Sequence, residues 1–157
     1  MNNKISRGVI GVAMFGMVVV LSACGGGSGG GGGCPTTEPE SCITGLSGDW
    51  NVTDDVSTSS QYCASSDGQR NVYTVTVTQT GCRLTVTAGG QTLNGFIDGN
   101  SLCWTGSYEE NGGTTTIVDM DLTVNDAGTE FNGSSSWTWT DNIGECNGQT
   151  STQGEKS

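Results

Sequence analysis

From Ser47 onward, hydrophobic and polar residues trade places with a period of two, and Gly, Asn or Asp interrupts them about every ten positions. In the stretch 72–79, Tyr73, Val75 and Val77 share one face while Val72 and the threonines share the other. In the stretch 117–124, Val118, Met120, Leu122 and Val124 fall on one face, with Ile117, Asp119, Asp121 and Thr123 opposite. Such alternation marks half-buried strands, and no segment carries a helical period. Eight strands are predicted, at about 47–55, 71–80, 82–88, 92–98, 101–109, 114–125, 129–140 and 146–156. Asp98-Gly99-Asn100 and Asp126-Ala127-Gly128 supply hairpin residues that tolerate positive φ. Apart from the link at 56–70 the connections are short, as antiparallel neighbours require.

Eight short strands in next-neighbour order predict an all-β fold, an antiparallel up-and-down barrel over residues 47–157. Closure leaves no exposed edge. A two-sheet β-sandwich is the alternative. A weak repeat argues for strong curvature: Leu93-Asn94-Gly95, Trp104-Thr105-Gly106, Phe131-Asn132-Gly133 and Cys146-Asn147-Gly148 each place glycine on the face of a larger residue. Gly48-Asp49-Trp50 resembles the G-x-W of lipocalins and related calycin barrels. That resemblance implies a basic residue near the end of the last strand stacking over the tryptophan, here Lys156. The long C-terminal helix of true lipocalins has no counterpart, so the chain is nearer to streptavidin-like or small bacterial lipocalin-like barrels.

The first 23 residues read differently. Lys4 and Arg7 precede a largely apolar run from Val9 to Leu21, too short for a permanent span of about 20 apolar residues. This is the pattern of an export signal. Leu21-Ser22-Ala23-Cys24 resembles the lipobox of bacterial lipoproteins. The resemblance implies cleavage before Cys24, acylation of that cysteine, and stable anchoring in a membrane, because two or more acyl chains exceed the marginal hold of one. Gly25 in place of aspartate after the cysteine implies onward transfer to the outer membrane of the bacterial cell envelope. Residues 25–33 are eight glycines and one serine, a flexible tether of about 15–18 Å root-mean-square span. Residues 24–46 thus comprise the lipidated cysteine, the tether and a cysteine-bearing loop.

Charge and sulfur then narrow the function. The chain carries −11 overall, and loss of the signal removes two of the five basic residues and none of the sixteen acidic ones, leaving −13. Such a surface repels phosphate backbones, so no nucleic-acid partner is expected. Seven cysteines less the acylated one leave six, an even number for an oxidising compartment. In an up-and-down barrel the 56–70 link and the 141–145 turn share one end, which predicts Cys63–Cys146 across the closure seam. Cys82 and Cys103 fall together at the opposite end and are expected to pair, leaving Cys34–Cys42.

With no histidine in the chain, nucleophile systems that need an imidazole base are excluded, and paired thiols leave no thiolate to attack or to ligate. No catalytic residue, metal or cofactor is assigned. Asp119 and Asp121 share a strand face at a spacing of about 6.5–7 Å, and Asp54-Asp55 and Glu109-Glu110 offer oxygen pairs to calcium, but no loop matches a calcium-binding spacing. The aromatic residues Trp50, Tyr73, Trp104, Tyr108, Trp137 and Trp139 fall on faces shared with Val, Leu or Gly. Inside a barrel they either fill the core or wall a small apolar cavity for a hydrophobic ligand. Two functions follow as expectations: a lipid-anchored carrier or sensor of a small apolar ligand, or a structural or protein-interaction module of the envelope.

Overall fold

The structure, a computed structural model, describes residues 34–157. The expected signal segment, the expected acylation site Cys24 and the glycine-rich stretch lie outside the described residues. Eight strands follow in chain order: β1 (Gly48–Ser57), β2 (Arg70–Thr80), β3 (Arg83–Ala88), β4 (Gln91–Asp98), β5 (Ser101–Glu110), β6 (Gly113–Val124), β7 (Glu130–Thr140) and β8 (Glu145–Lys156). Each pairs antiparallel with its chain neighbours, and β8 closes on β1, with Trp50 opposite Lys156 and Ser57 opposite Gln149. The barrel is closed, and the sandwich alternative is excluded.

Alternation sorts the side chains. Trp50 and Val52 from β1, Val75 and Val77 from β2, Leu84 and Val86 from β3, and Leu102 from β5 pack with Leu122, Val124 and Phe131 into one apolar cluster. Inward glycines make room at the crowded positions. A Cβ on Gly95 would run into the Cys103 carbonyl and the Trp104 backbone, and one on Gly148 into Trp137, so the repeat of glycines marks where neighbouring strands or rings approach most closely.

The face assignment of β6 is corrected at two positions. Val118 is 56% exposed while Ile117 lines the interior. The register shifts by one residue between Ile117 and Asp119 against β7, so Val118 is the extra residue of a β-bulge. The bulge resets the alternation, and both Ile117 and Met120 reach the interior.

A strap over residues 34–47 covers the barrel end at which β1 begins. Its Leu46 is 2% exposed and belongs to the core. The Leu46 carbonyl accepts from Trp50 Nε1 at 2.9 Å, and its N–H donates to Gln79 Oε1 at 3.0 Å. Cys42 bridges Gly99, and the Gly99 carbonyl accepts from Ile43 N–H at 2.9 Å. Glu38 holds the Cys82 N–H and the Arg83 guanidinium at 3.1 and 2.7 Å. These bonds depress the Glu38 carboxyl below its ordinary range, the Cys82 bond most and the Arg83 bond next.

The strap decides the disulfides. Cys63–Cys146 forms as expected, with Cα atoms 6.0 Å apart. The other two pairs are corrected: Cys34 joins Cys103 and Cys42 joins Cys82, at Cα separations of 5.3 and 5.7 Å. Cys82 and Cys103 do share one end of the barrel, but β3 and β5 are separated by β4. Two strand spacings are about 9–10 Å, beyond the ~7 Å reach of a disulfide. The strap crosses that end and brings a partner to each.

Candidate functional site

Two packed regions lie at opposite ends of the barrel. At the strap end is the large apolar cluster around Trp50; at the other, Cys63, Cys146 and Trp139 pack together with Trp137 against them. The link between β1 and β2, with its 3₁₀ turn Gln61–Cys63, lies over this second end. Tyr62 stacks on Trp139 with centroids 6.0 Å apart, and its hydroxyl donates to the Asp141 carboxylate in the β7–β8 turn. A cavity of about 220 Å³ is walled by members of both regions. All six aromatic residues singled out from the sequence line it: Trp50, Tyr73, Trp104, Tyr108, Trp137 and Trp139. The volume exceeds that of a ~150 Å³ apolar cavity able to take up benzene and falls below the ~300–1,000 Å³ of drug-sized sites. It suits a ligand of one or two rings.

Polarity is graded along the axis. The strap end of the cavity is aliphatic, with Val52, Val75, Leu84 and Leu102. Toward the other end, inward positions carry Asp54, Tyr73, Tyr108, Glu110, Thr115, Thr150 and Thr152. The Tyr73 hydroxyl donates to Asp54 Oδ2 at 2.7 Å. The Thr115 hydroxyl donates to the Glu110 carboxyl. Trp137 Nε1 donates to Thr150 Oγ1 at 3.0 Å, and Trp139 Nε1 to the Glu110 carbonyl at 3.2 Å.

Burial raises both carboxyls above their ordinary range. For Asp54 it outweighs the hydroxyls of Tyr73 and Thr152, with a lesser contribution from the Asp55 charge; for Glu110 it outweighs the Thr115 hydroxyl. Burial also pushes both phenols upward. The Glu110 charge and then the Asp54 charge add to this at Tyr108, and the Asp54 charge adds to it at Tyr73. Both carboxyls therefore act on the Tyr108 phenol.

The calcium candidates separate across the barrel wall. Asp54 faces inward to Tyr73 while Asp55 faces outward to Arg70, at 2.7 Å from its Nε. Glu110 faces the cavity with Thr115, whereas Glu109 takes the Thr114 hydroxyl and does not line it. Strand alternation forbids neighbouring residues from sharing a ligand on one face. Asp119 and Asp121, flanking the inward Met120 and Leu122, are likewise outside the cavity. Lys156 pairs in register with Trp50, passes over Gly48 and donates from Nζ to the Gly45 carbonyl at 2.5 Å.

Among the polar cavity residues, Asp54 and Glu110 stand out in the sequence only as members of acidic pairs, and Ser66 does not stand out at all. The first two carry a signal: Trp50-x-Val52-x-Asp54 and Trp104-x-Gly106-x-Tyr108-x-Glu110 continue the inward alternation into the acids. Ser66 sits in a link without periodicity and carries none. Comparisons with protein-family models, curated proteins and solved structures find no match to this chain.

Proposed function

We propose that this chain is a lipid-anchored binding protein of the bacterial cell envelope, held at the outer membrane through Cys24, whose lipocalin-like barrel takes up a small, mostly apolar ligand. The observation that carries this reading is the interior cavity of about 220 Å³, walled by seven aromatic side chains, the six singled out from the sequence and Phe131. A barrel built only to be rigid gains nothing from a void, since unfilled volume forfeits contacts at about 24 cal/mol per Å³. The lipocalin-like part of the reading is supported by the Gly48-Asp49-Trp50 start of β1, the buried Trp50 indole at the covered end, and Lys156 beside it in β8. The anchor is supported by the order of charge, apolar run and Leu21-Ser22-Ala23-Cys24 in the sequence.

Native mass spectrometry and tryptophan fluorescence against a library of one- and two-ring compounds test the binding function. Saturable quenching with stoichiometry of one is expected, and it should vanish in Ala88→Trp, which projects a ring into the cavity. Binding only to other envelope proteins, with no small-molecule response, would favour the interaction-module reading. Intact mass of the membrane-extracted protein tests the anchor; the added mass of acyl chains on Cys24 is expected, and an unmodified chain contradicts it.

A further inference from the structure

The cavity is not uniformly apolar, and its polar groups do not balance. Asp54 and Glu110 face it, while no Lys or Arg lines it. Among the described residues, Arg70 is engaged with Asp55, Arg83 with Glu38, and Lys156 with the Gly45 carbonyl. Most inward polar groups find partners within the wall, as the pairs Tyr73–Asp54, Thr115–Glu110 and Trp137–Thr150 illustrate. Two buried side-chain atoms among the described residues have none: Asp54 Oδ1 and Ser66 Oγ. Both residues line the cavity, and Ser66, at the end opposite the strap, is only 3% exposed. Orphaned buried polar atoms are rare and costly, at about 1–3 kcal/mol each and more for charged groups. Two of them on the wall of one cavity indicate a missing polar partner.

Building on the carrier reading above, we propose that the ligand is an apolar ring compound bearing a protonated amine, with its ring against the aliphatic and aromatic strap side and its ammonium between Asp54 and Glu110. An ammonium places a positive charge between two cavity-lining carboxyls that no protein cation offsets, and it supplies an N–H donor to Asp54 Oδ1 once that covered oxygen turns toward the cavity. Trp104, Tyr108 and Trp137 line the same cavity, and an aromatic face turned to the ammonium attracts it through the ring quadrupole. A carboxylate ligand meets like charge. A neutral ring fills the volume but leaves the carboxyls unpaired.

The titratable groups facing the proposed ammonium are Asp54 from β1, Tyr73 from β2, and Tyr108 and Glu110 from β5. The lining residues of β3, β4, β6, β7 and β8 are non-titrating. The phenols stay neutral through the physiological range because burial raises them. Affinity for an amine therefore follows ionisation of the two carboxyls and rises with pH across their raised range, as long as the amine stays protonated.

The test uses three probes of nearly equal size on the purified full chain: phenethylammonium, 2-phenylethanol and 3-phenylpropionate. Tryptophan fluorescence or calorimetry should rank them in that order, with the ammonium at least tenfold tighter than the alcohol. Its affinity should climb with pH while that of the alcohol stays flat. Asp54→Asn and, separately, Glu110→Gln should each cut the preference for the ammonium over the alcohol at least threefold, with measurable alcohol binding retained. Use of two variants guards against one failing to fold, and retained alcohol binding reports an intact cavity. Equal or stronger binding of the alcohol overturns the ammonium assignment and leaves the carrier reading standing. Failure of all three probes overturns both.

Discussion

Asp54 shows what a single inward acid does to a small barrel. Its ordinary value is 3.8, and burial raises it in the folded protein. The native state therefore holds a proton that the unfolded chain has released, and stability falls as pH rises from the ordinary value through the raised one. Glu38 and Asp55 work in the opposite direction: they are held below the ordinary range, and their contribution is lost on acidification. Both are surface partners, so their effect is small. Asp54→Asn keeps an acceptor for Tyr73 and removes the buried charge. Urea midpoints taken from pH 3 to 8 should show the variant gaining on the parent as pH rises, and a constant gap contradicts the account. The same residue thus lowers stability at neutral pH and, in the proposed complex, supplies the polar contact, a trade expected of binding sites. Gly148 gives a steric counterpart. A Cβ there meets the Trp137 ring and, at 2.7 Å, the Ser57 carbonyl. Gly148→Ala should cost about 1–3 kcal/mol by chemical denaturation and shift tryptophan emission. Period-two alternation places the aromatic residues on the cavity wall, whereas Asp54 and Glu110 each sit beside a second acid and read as pairs. The alternation that separates them lay in the same strands.

At the scale of elements, pattern and connectivity made the barrel legible, while what crosses a barrel end did not follow from either. Strand order put Cys63 beside Cys146 through the β8–β1 seam. It could not reveal that residues 34–47 fold back over the other end, because this strap is held by Leu46, Gln79 and Gly99 contacts that have no periodicity. Peptide mapping of the non-reduced protein should recover Cys34–Cys103 and Cys42–Cys82 links, and a Cys82–Cys103 peptide contradicts the strap. Replacing Cys42 and Cys82 together by serine should cost about 2–4 kcal/mol. The bulge at Val118 was hidden for a different reason: an Ile-Val pair fits either phase of alternation. Deletion of Val118 removes the extra residue and keeps Ile117 and Met120 inward. Deletion of Thr123 turns Val124 or the preceding residues to the wrong face. Thermal melts should therefore show the first variant folded and the second severely destabilised or insoluble; equal damage from both would contradict the bulge assignment.

As a whole molecule, the chain couples a thin core to covalent bracing. Only 32% of its residues are hydrophobic, and three disulfides tie the strap and the β1–β2 link to the wall. Bracing both ends allows the middle to stay open, where a chain stabilised by burial alone would tend to close the void. The central claim is that the space between Trp50 and Trp139 is hollow, and it can be tested without knowing any ligand. Diffraction from crystals of the protein pressurised with xenon reports apolar void volume directly. The account predicts a xenon atom inside the barrel, in contact with the aromatic wall that includes Trp104 and Trp137. An interior free of xenon, with those two indoles collapsed across the axis and touching, would contradict it.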